Sequence, residues 1–238
     1  MKAKLLLMTL VAIGGMAASA WSQNGTMVAG AGAVYNLPVG SLHYRFNGSV
    51  GGMVFVGKEI NVNWTWIGKV EYFELADLNE SKLTKTLSIQ EGGTAQRYQV
   101  PLNKLSMKLK AAGFTAEAIL NLMRISSIET NAHVGFGFYN WNNFRSKYND
   151  SLFVRSVISG SLIKVANLAV PENRQTDWSG TLNLGCDLNV KAVDPVWITF
   201  GVDYKLIIGE LWQTLDLDLE NVSGMQLISF RAGVRINF

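Results

Sequence analysis

The strictest constraint on this chain is a period-two alternation of apolar and polar side chains, kept up over ten or more residues in four separate stretches. In the last of them, ISFRAGVRINF (228–238), Ile228, Phe230, Ala232, Val234, Ile236 and Phe238 fall on one side of an extended strand. Ser229, Arg231, Gly233, Arg235 and Asn237 fall on the other, because successive side chains point to opposite faces. INVNWTWIGKVEY (60–72), DWSGTLNLGCDLNV (177–190) and VWITFGVDYKL (196–206) obey the same rule. A soluble sandwich would turn the apolar face inward, whereas a membrane barrel turns it outward to lipid. Length separates the two: globular strands run to about 5–6 residues, and a tilted strand needs ~9–11 to cross the hydrocarbon.

The N-terminus agrees with export. Lys2 and Lys4 precede the apolar run LLLMTLVAIGGMAA (5–18), and Ala18-Ser19-Ala20 offers a small-residue cleavage site, so 1–20 reads as a signal peptide and 21–238 as one domain. The run is short of the ~20 apolar residues of a membrane-spanning helix. Without Lys2 and Lys4 the net charge of +3 falls to +1, which gives no reason to expect a nucleic-acid partner. Cys186 is the only cysteine, so no internal disulfide forms. It shares a face with Trp178, Leu182 and Leu184 and reads as a small apolar filler.

The weaker stretches 27–37, 46–56, 114–125 and 131–141 complete the pattern, and 114–125 also carries helix-favouring residues. Short connections at 57–59, 126–130 and 191–195 alternate with longer ones at 38–45, 75–113, 142–177 and 208–225. Eight strands result, near 27–37, 46–56, 60–74, 114–125, 131–141, 178–190, 196–207 and 225–238. The expected fold is all-β, a closed antiparallel up-and-down transmembrane barrel. Residues 97–111 and 151–170 are also rich in apolar side chains; if both cross, the count is ten. With eight, they form hairpins or short helices beyond the membrane.

Closure satisfies every backbone N–H and C=O without leaving an edge in hydrocarbon. It also gathers Lys69, Glu71, Glu117, Asp187, Asp203, Lys205, Arg231 and Arg235 into a lumen just wide enough for side chains. Four charges of each sign can pair there and offset their desolvation. Tyr35, Trp64, Trp66, Tyr72, Phe138, Trp141, Trp178, Trp197, Tyr204 and Phe238 are expected at strand ends or on outward faces, where rings favour the headgroup level.

An exported chain with long alternating strands, short inner turns and a last strand FRAGVRINF ending on Phe238 resembles the small Gram-negative outer-membrane β-barrels of the OmpA/OmpX type. The resemblance implies residence in the cell outer membrane, outer-membrane lipid as surroundings, and reading of Phe230, Val234, Ile236 and Phe238 by the barrel-assembly machinery. It implies a structural role, or binding of an extracellular protein or surface ligand through long loops, chiefly 75–113 and 142–177. No peptidoglycan-binding segment follows the barrel pattern.

Catalytic and cofactor signals are weak. Of the two histidines, His43 stands near Ser41, where a base could activate a hydroxyl, but the run SLHYRF carries no acyl-hydrolase signature. His133 is expected in the lumen or at an inner turn. Two histidines and one cysteine make a poor zinc set, and AGAGAVYN lacks the Lys-Ser/Thr of a phosphate loop. DLDLE (216–220) has too few oxygen ligands for calcium and reads as an exposed strand extension or loop. EGGTAQ (91–96) reads as a turn. The expectation is a non-enzymatic protein without cofactor; the alternatives are a narrow channel for small or apolar solutes and a lipid-modifying enzyme.

Overall fold

The computed structural model describes residues 25–91 and 93–238, so residues 1–20, expected from the sequence to be a signal peptide, lie outside the described residues. The strands are β1 (Met27–Val39), β2 (Ser49–Glu59), β3 (Trp64–Leu75), β4 (Thr84–Glu91), β5 (Thr94–Pro101), β6 (Met107–Ile125), β7 (Ile128–Arg145), β8 (Tyr148–Arg155), β9 (Leu162–Val170), β10 (Asn173–Val193), β11 (Val196–Leu211) and β12 (Val222–Asn237). Eight of them close a barrel in the order β1-β2-β3-β6-β7-β10-β11-β12. The last strand returns to the first in register from Val28↔Asn237 to Val39↔Gln226. The seam is tied at its end by Met27 N–H to the Phe238 carbonyl (2.7 Å) and by the reciprocal bond (2.9 Å). The extra apolar stretches do not cross: β4–β5 and β8–β9 are separate two-stranded hairpins.

Several boundaries differ from the sequence reading. Residues 60–63 form the β2–β3 turn, and 57–59 belong to β2. The reason is Asn61, whose side-chain oxygen accepts from the backbone N–H groups of Asn63 and Trp64 at 2.9 Å. This local bond competes with the strand ladder. β6 runs unbroken from 107 to 125, so 107–113 is barrel strand and not loop. Trp141 and Trp197 also face the lumen, both buried; Trp141 donates its indole N–H to Ser179 Oγ at 2.8 Å.

The outward face is apolar. Val134, Phe136, Phe138, Leu182, Leu184, Leu188, Phe200, Val202, Tyr204, Phe230, Val234 and Ile236 are all exposed, as is Cys186. On β10 this surface runs from Gly180 to Val190, a height of roughly 25 Å for a strand rising ~3.3 Å per residue at the usual tilt. A continuous apolar band of that height is incompatible with water and matches the hydrocarbon thickness seen by barrels. The chain therefore spans a membrane with its strands. The short turns at 60–63, 126–127 and 194–195 share one end with the start of β1 and the end of β12, and the four long connections share the other.

Candidate functional site

The lumen is filled in layers. At the end bearing the short turns, Arg235 reaches Glu59 Oε1 (2.9 Å) and Glu129 Oε2 (3.4 Å), and Arg124 Nε meets Glu129 Oε1 at 2.8 Å. Above lies a buried cluster in which Arg231 contacts Asp187 Oδ1 (2.7 Å) and Asp203 Oδ2 (3.0 Å), while Lys69 pairs with Glu117. His133 stands between the two aspartates, Nε2 2.6 Å from Asp203 Oδ1 and Nδ1 3.3 Å from Asp187 Oδ2. Higher still, Lys205 pairs with Glu71 and lies over the rings of Phe73 (5.4 Å) and Tyr139 (5.5 Å). All eight lumen candidates named from the sequence are buried, and every one has a charged partner.

Strand alternation explains this convergence. Most of the charged residues occupy inward positions paired with a glycine on a neighbouring strand. Gly185 lies opposite both His133 and Asp203, and Gly201 opposite Asp187 and Arg231. A Cβ on Gly185 would stand 2.7 Å from His133 Nε2, so glycine gives the ion pairs the space they occupy. A cavity of about 30 Å³ lies in this half, lined among others by Met53, Ile67, Asn189 and Arg235, room for ordered water and no more.

The far half holds an apolar plug that the sequence reading missed. Phe73, Leu75, Leu109, Tyr139, Trp141, Ile207, Met225 and Leu227 of the barrel strands form one cluster with Leu42, Phe46, Leu83, Leu102, Leu105, Leu217 and Leu219 of the connections. Leu217 and Leu219 come from the DLDLE run, which the sequence reading assigned to an exposed extension or loop. They alternate inward while Asp216 and Asp218 face out, the one signal that could have revealed them.

Over the plug the long connections fold into a cap. Arg45 of the first connection donates to the carbonyls of Glu220 (2.5 Å) and Trp212 (3.2 Å) in the last; burial, with Arg145 nearby, lowers its guanidinium to about 10. Asp218 accepts from Lys85 Nζ and from Thr86 N–H, both at 2.7 Å, which fastens the last connection to β4. Lys104 meets Asp150 Oδ1 at 2.5 Å, joining the second connection to the third. The two hairpins pack on each other through Val100, Leu152 and Val154. The cap carries a groove of about 880 Å³ between Lys104, Lys147 and β8–β9, and another of about 550 Å³ between Tyr44, Arg45, Gln99 and Glu220.

The hydrolytic candidates are not brought together. His43 lies in the 3₁₀ turn Gly40–Tyr44 with Nε2 3.5 Å from the Asn79 amide, and among the described residues no carboxylate is within ion-pair distance of it. His133 has two aspartates but is sealed beneath the plug.

No family model and no curated protein sequence matches this chain. Solved structures do. A major outer membrane protein from Thermus thermophilus aligns over 91% of this chain and 100% of its own, with TM-score 0.50 and 12% identity. The fold is that of a small outer-membrane β-barrel. Neisserial surface protein A aligns over 90% of this chain and 100% of its own (TM-score 0.48, 15% identity). Ail, the attachment invasion locus protein of Yersinia pestis, aligns over 91% and 100% (TM-score 0.44, 11% identity). At these identities the outer-membrane barrel likeness is one of fold.

Proposed function

We propose that this chain is a non-conducting, non-enzymatic barrel of the bacterial outer membrane whose folded cap binds an extracellular protein or surface ligand. The observation that carries this reading is the filling of the lumen: ion pairs around a cavity of about 30 Å³ in one half, and an apolar plug in the other. A solute path would require breaking both layers, whereas the cap offers grooves of about 880 and 550 Å³ on pre-ordered hairpins. In this reading residues 1–20 are removed on export, and the outward-facing Phe230, Val234, Ile236 and Phe238 are what the barrel-assembly machinery recognises.

The test is conductance of the full mature chain in planar bilayers beside a variant in which the hairpins 84–101 and 148–170 are each replaced by a short turn. Both should insert, and the intact chain should show no stable single-channel steps. Regular steps from the intact chain would overturn the reading in favour of a channel. A changed phospholipid or lipid A profile that disappears with His43→Ala would overturn it in favour of a lipid-modifying enzyme.

A further inference from the structure

The outward face of β6, β7 and β10 changes character in rows. Through the apolar belt the paired outward residues are Phe114, Phe138 and Gly180, then Ala116, Phe136 and Leu182, then Ala118, Val134 and Leu184. The next row toward the cap is Ala112, Asn140 and Trp178, an interfacial composition. Above it come Lys110, Asn142 and Thr176, and then Lys108, Phe144 and Arg174. Three cations thus stand about 5–10 Å beyond the aromatic row, taking ~3.3 Å of rise per residue along tilted strands. That is headgroup depth on the cap side.

Their arrangement is ordered by one ring. Lys108 Nζ lies 5.8 Å and Arg174 Cζ 5.5 Å from the Phe144 centroid, so both long side chains are drawn to the same spot and give up less freedom on meeting an anion. Among the described residues neither head has a carboxylate within 4.0 Å. Lys110, one row below, shares Glu74 at 3.2 Å and is half exposed, and Asn142 donates its amide to Thr176 Oγ1. Cations with amide and hydroxyl groups at this depth are the chemistry that holds a phosphate, with guanidinium supplying paired donors and ammonium a point charge.

We propose that this face is a binding site for the phosphate of a lipid in the cap-side leaflet, gripped by Lys108 and Arg174 over Phe144 with Lys110 beneath. The site does not depend on the lumen or on what the cap binds. Its residues point away from the barrel interior, so replacing them leaves the fold intact.

The experiment titrates the full mature chain in detergent micelles with lipid A, chemically dephosphorylated lipid A, phosphatidylglycerol, diacylglycerol and inorganic phosphate, reading bound species by native mass spectrometry. The wild type should retain the phosphorylated lipids and release the two phosphate-free ones. Each of Lys108→Gln, Lys110→Gln and Arg174→Gln should weaken retention about fivefold. Lys191→Gln at the opposite rim, where Lys191 lies 6.0 Å over Trp197, should not. Preference for lipid A assigns the site to a phosphorylated glycolipid, and equal retention of phosphatidylglycerol assigns it to phosphate on any diacyl lipid. Unchanged retention by the folded triple variant, equal retention of dephosphorylated lipid, or inorganic phosphate binding as tightly as lipid would each overturn the proposal.

Discussion

Removing the ammonium of Lys205 is the sharpest test of how the lumen is held. Lys205 and Glu71 pair with each other in the middle of the barrel, with side-chain exposures of 0% and 1%. The ammonium has further support from the rings of Phe73 and Tyr139 and from the Asn36 side-chain oxygen at 3.4 Å. Among the described residues no other cation pairs with Glu71. Lys205→Met therefore strands a carboxylate beside two aromatic rings, and breaking a buried pair from one side costs about 3–5 kcal/mol. Glu71→Met should cost less, since the ammonium keeps both ring faces and the amide. The double variant removes both charges and leaves two unbranched apolar side chains of similar length, so it should lie within about 1 kcal/mol of the wild type. Urea unfolding in phospholipid vesicles, followed by tryptophan fluorescence and by heat-modifiable gel mobility, gives all three values. A Lys205→Met cost under about 1 kcal/mol, or additive single and double effects, would refute the claim that the pair is dry and mutually dependent.

Arg235→Leu should also lower the melting temperature in detergent, by less, because Arg124 still lies 3.6 Å from Glu59 and 2.8 Å from Glu129 and keeps both carboxylates paired; an unchanged melt would count against its inward position. Gly185→Ala places a methyl 2.7 Å from His133 Nε2 and should cost about 1–3 kcal/mol in the same urea assay. If the terminal residue is an assembly signal, Phe238→Ala should lower the heat-modifiable band in membranes several-fold, while purified protein refolds in detergent with a small loss. The Asp150 carboxyl is held below its ordinary value, first by the Lys104 hydrogen bond. The folded state therefore binds fewer protons there, and the tether between the second and third connections is in place above the usual carboxylate range and lost as pH falls through the lowered value. Protease cleavage within 148–170 should accelerate over that acid window in the wild type, and Lys104→Ala should cleave faster already at neutral pH.

The barrel was legible because lipid and a narrow lumen each demand one kind of side chain, and strand geometry interleaves the two demands residue by residue. The alternation in 177–190 and 196–206 specifies which side every residue faces, and the charged residues on the inward side follow from it. Boundaries were less legible for local reasons. Asn61 ends the ladder with a side-chain bond that mimics backbone, so the apolar Ile60 and Val62 are turn residues despite their spacing. The plug was hidden because its members come from several barrel strands and several connections that touch only in the folded chain. Trp141 shows the difficulty in one residue: near a strand end its ring suits the headgroup level, yet its parity with Tyr139 turns it inward to Ser179.

The division of the lumen into a charged half and an apolar half has a consequence for the cap. Connections 40–48, 76–106, 146–172 and 212–221 would be costly to order over an open, hydrated barrel mouth, since nothing would bury their leucines. Here Leu42, Leu83, Leu105, Leu217 and Leu219 finish a core that Phe73, Trp141, Ile207 and Leu227 begin on the strands. Folding of the cap and filling of the barrel are thus one packing event, and the same atoms that seal the lumen hold the outer hairpins in place. A surface ordered before binding gives up less entropy when a partner arrives, so under the proposed function closing the lumen and presenting a binding face would be two results of a single arrangement. The charged half then carries the complementary task. Glycine-spaced ion pairs fill the lumen below the plug, so side chains occupy the barrel even where no loop reaches.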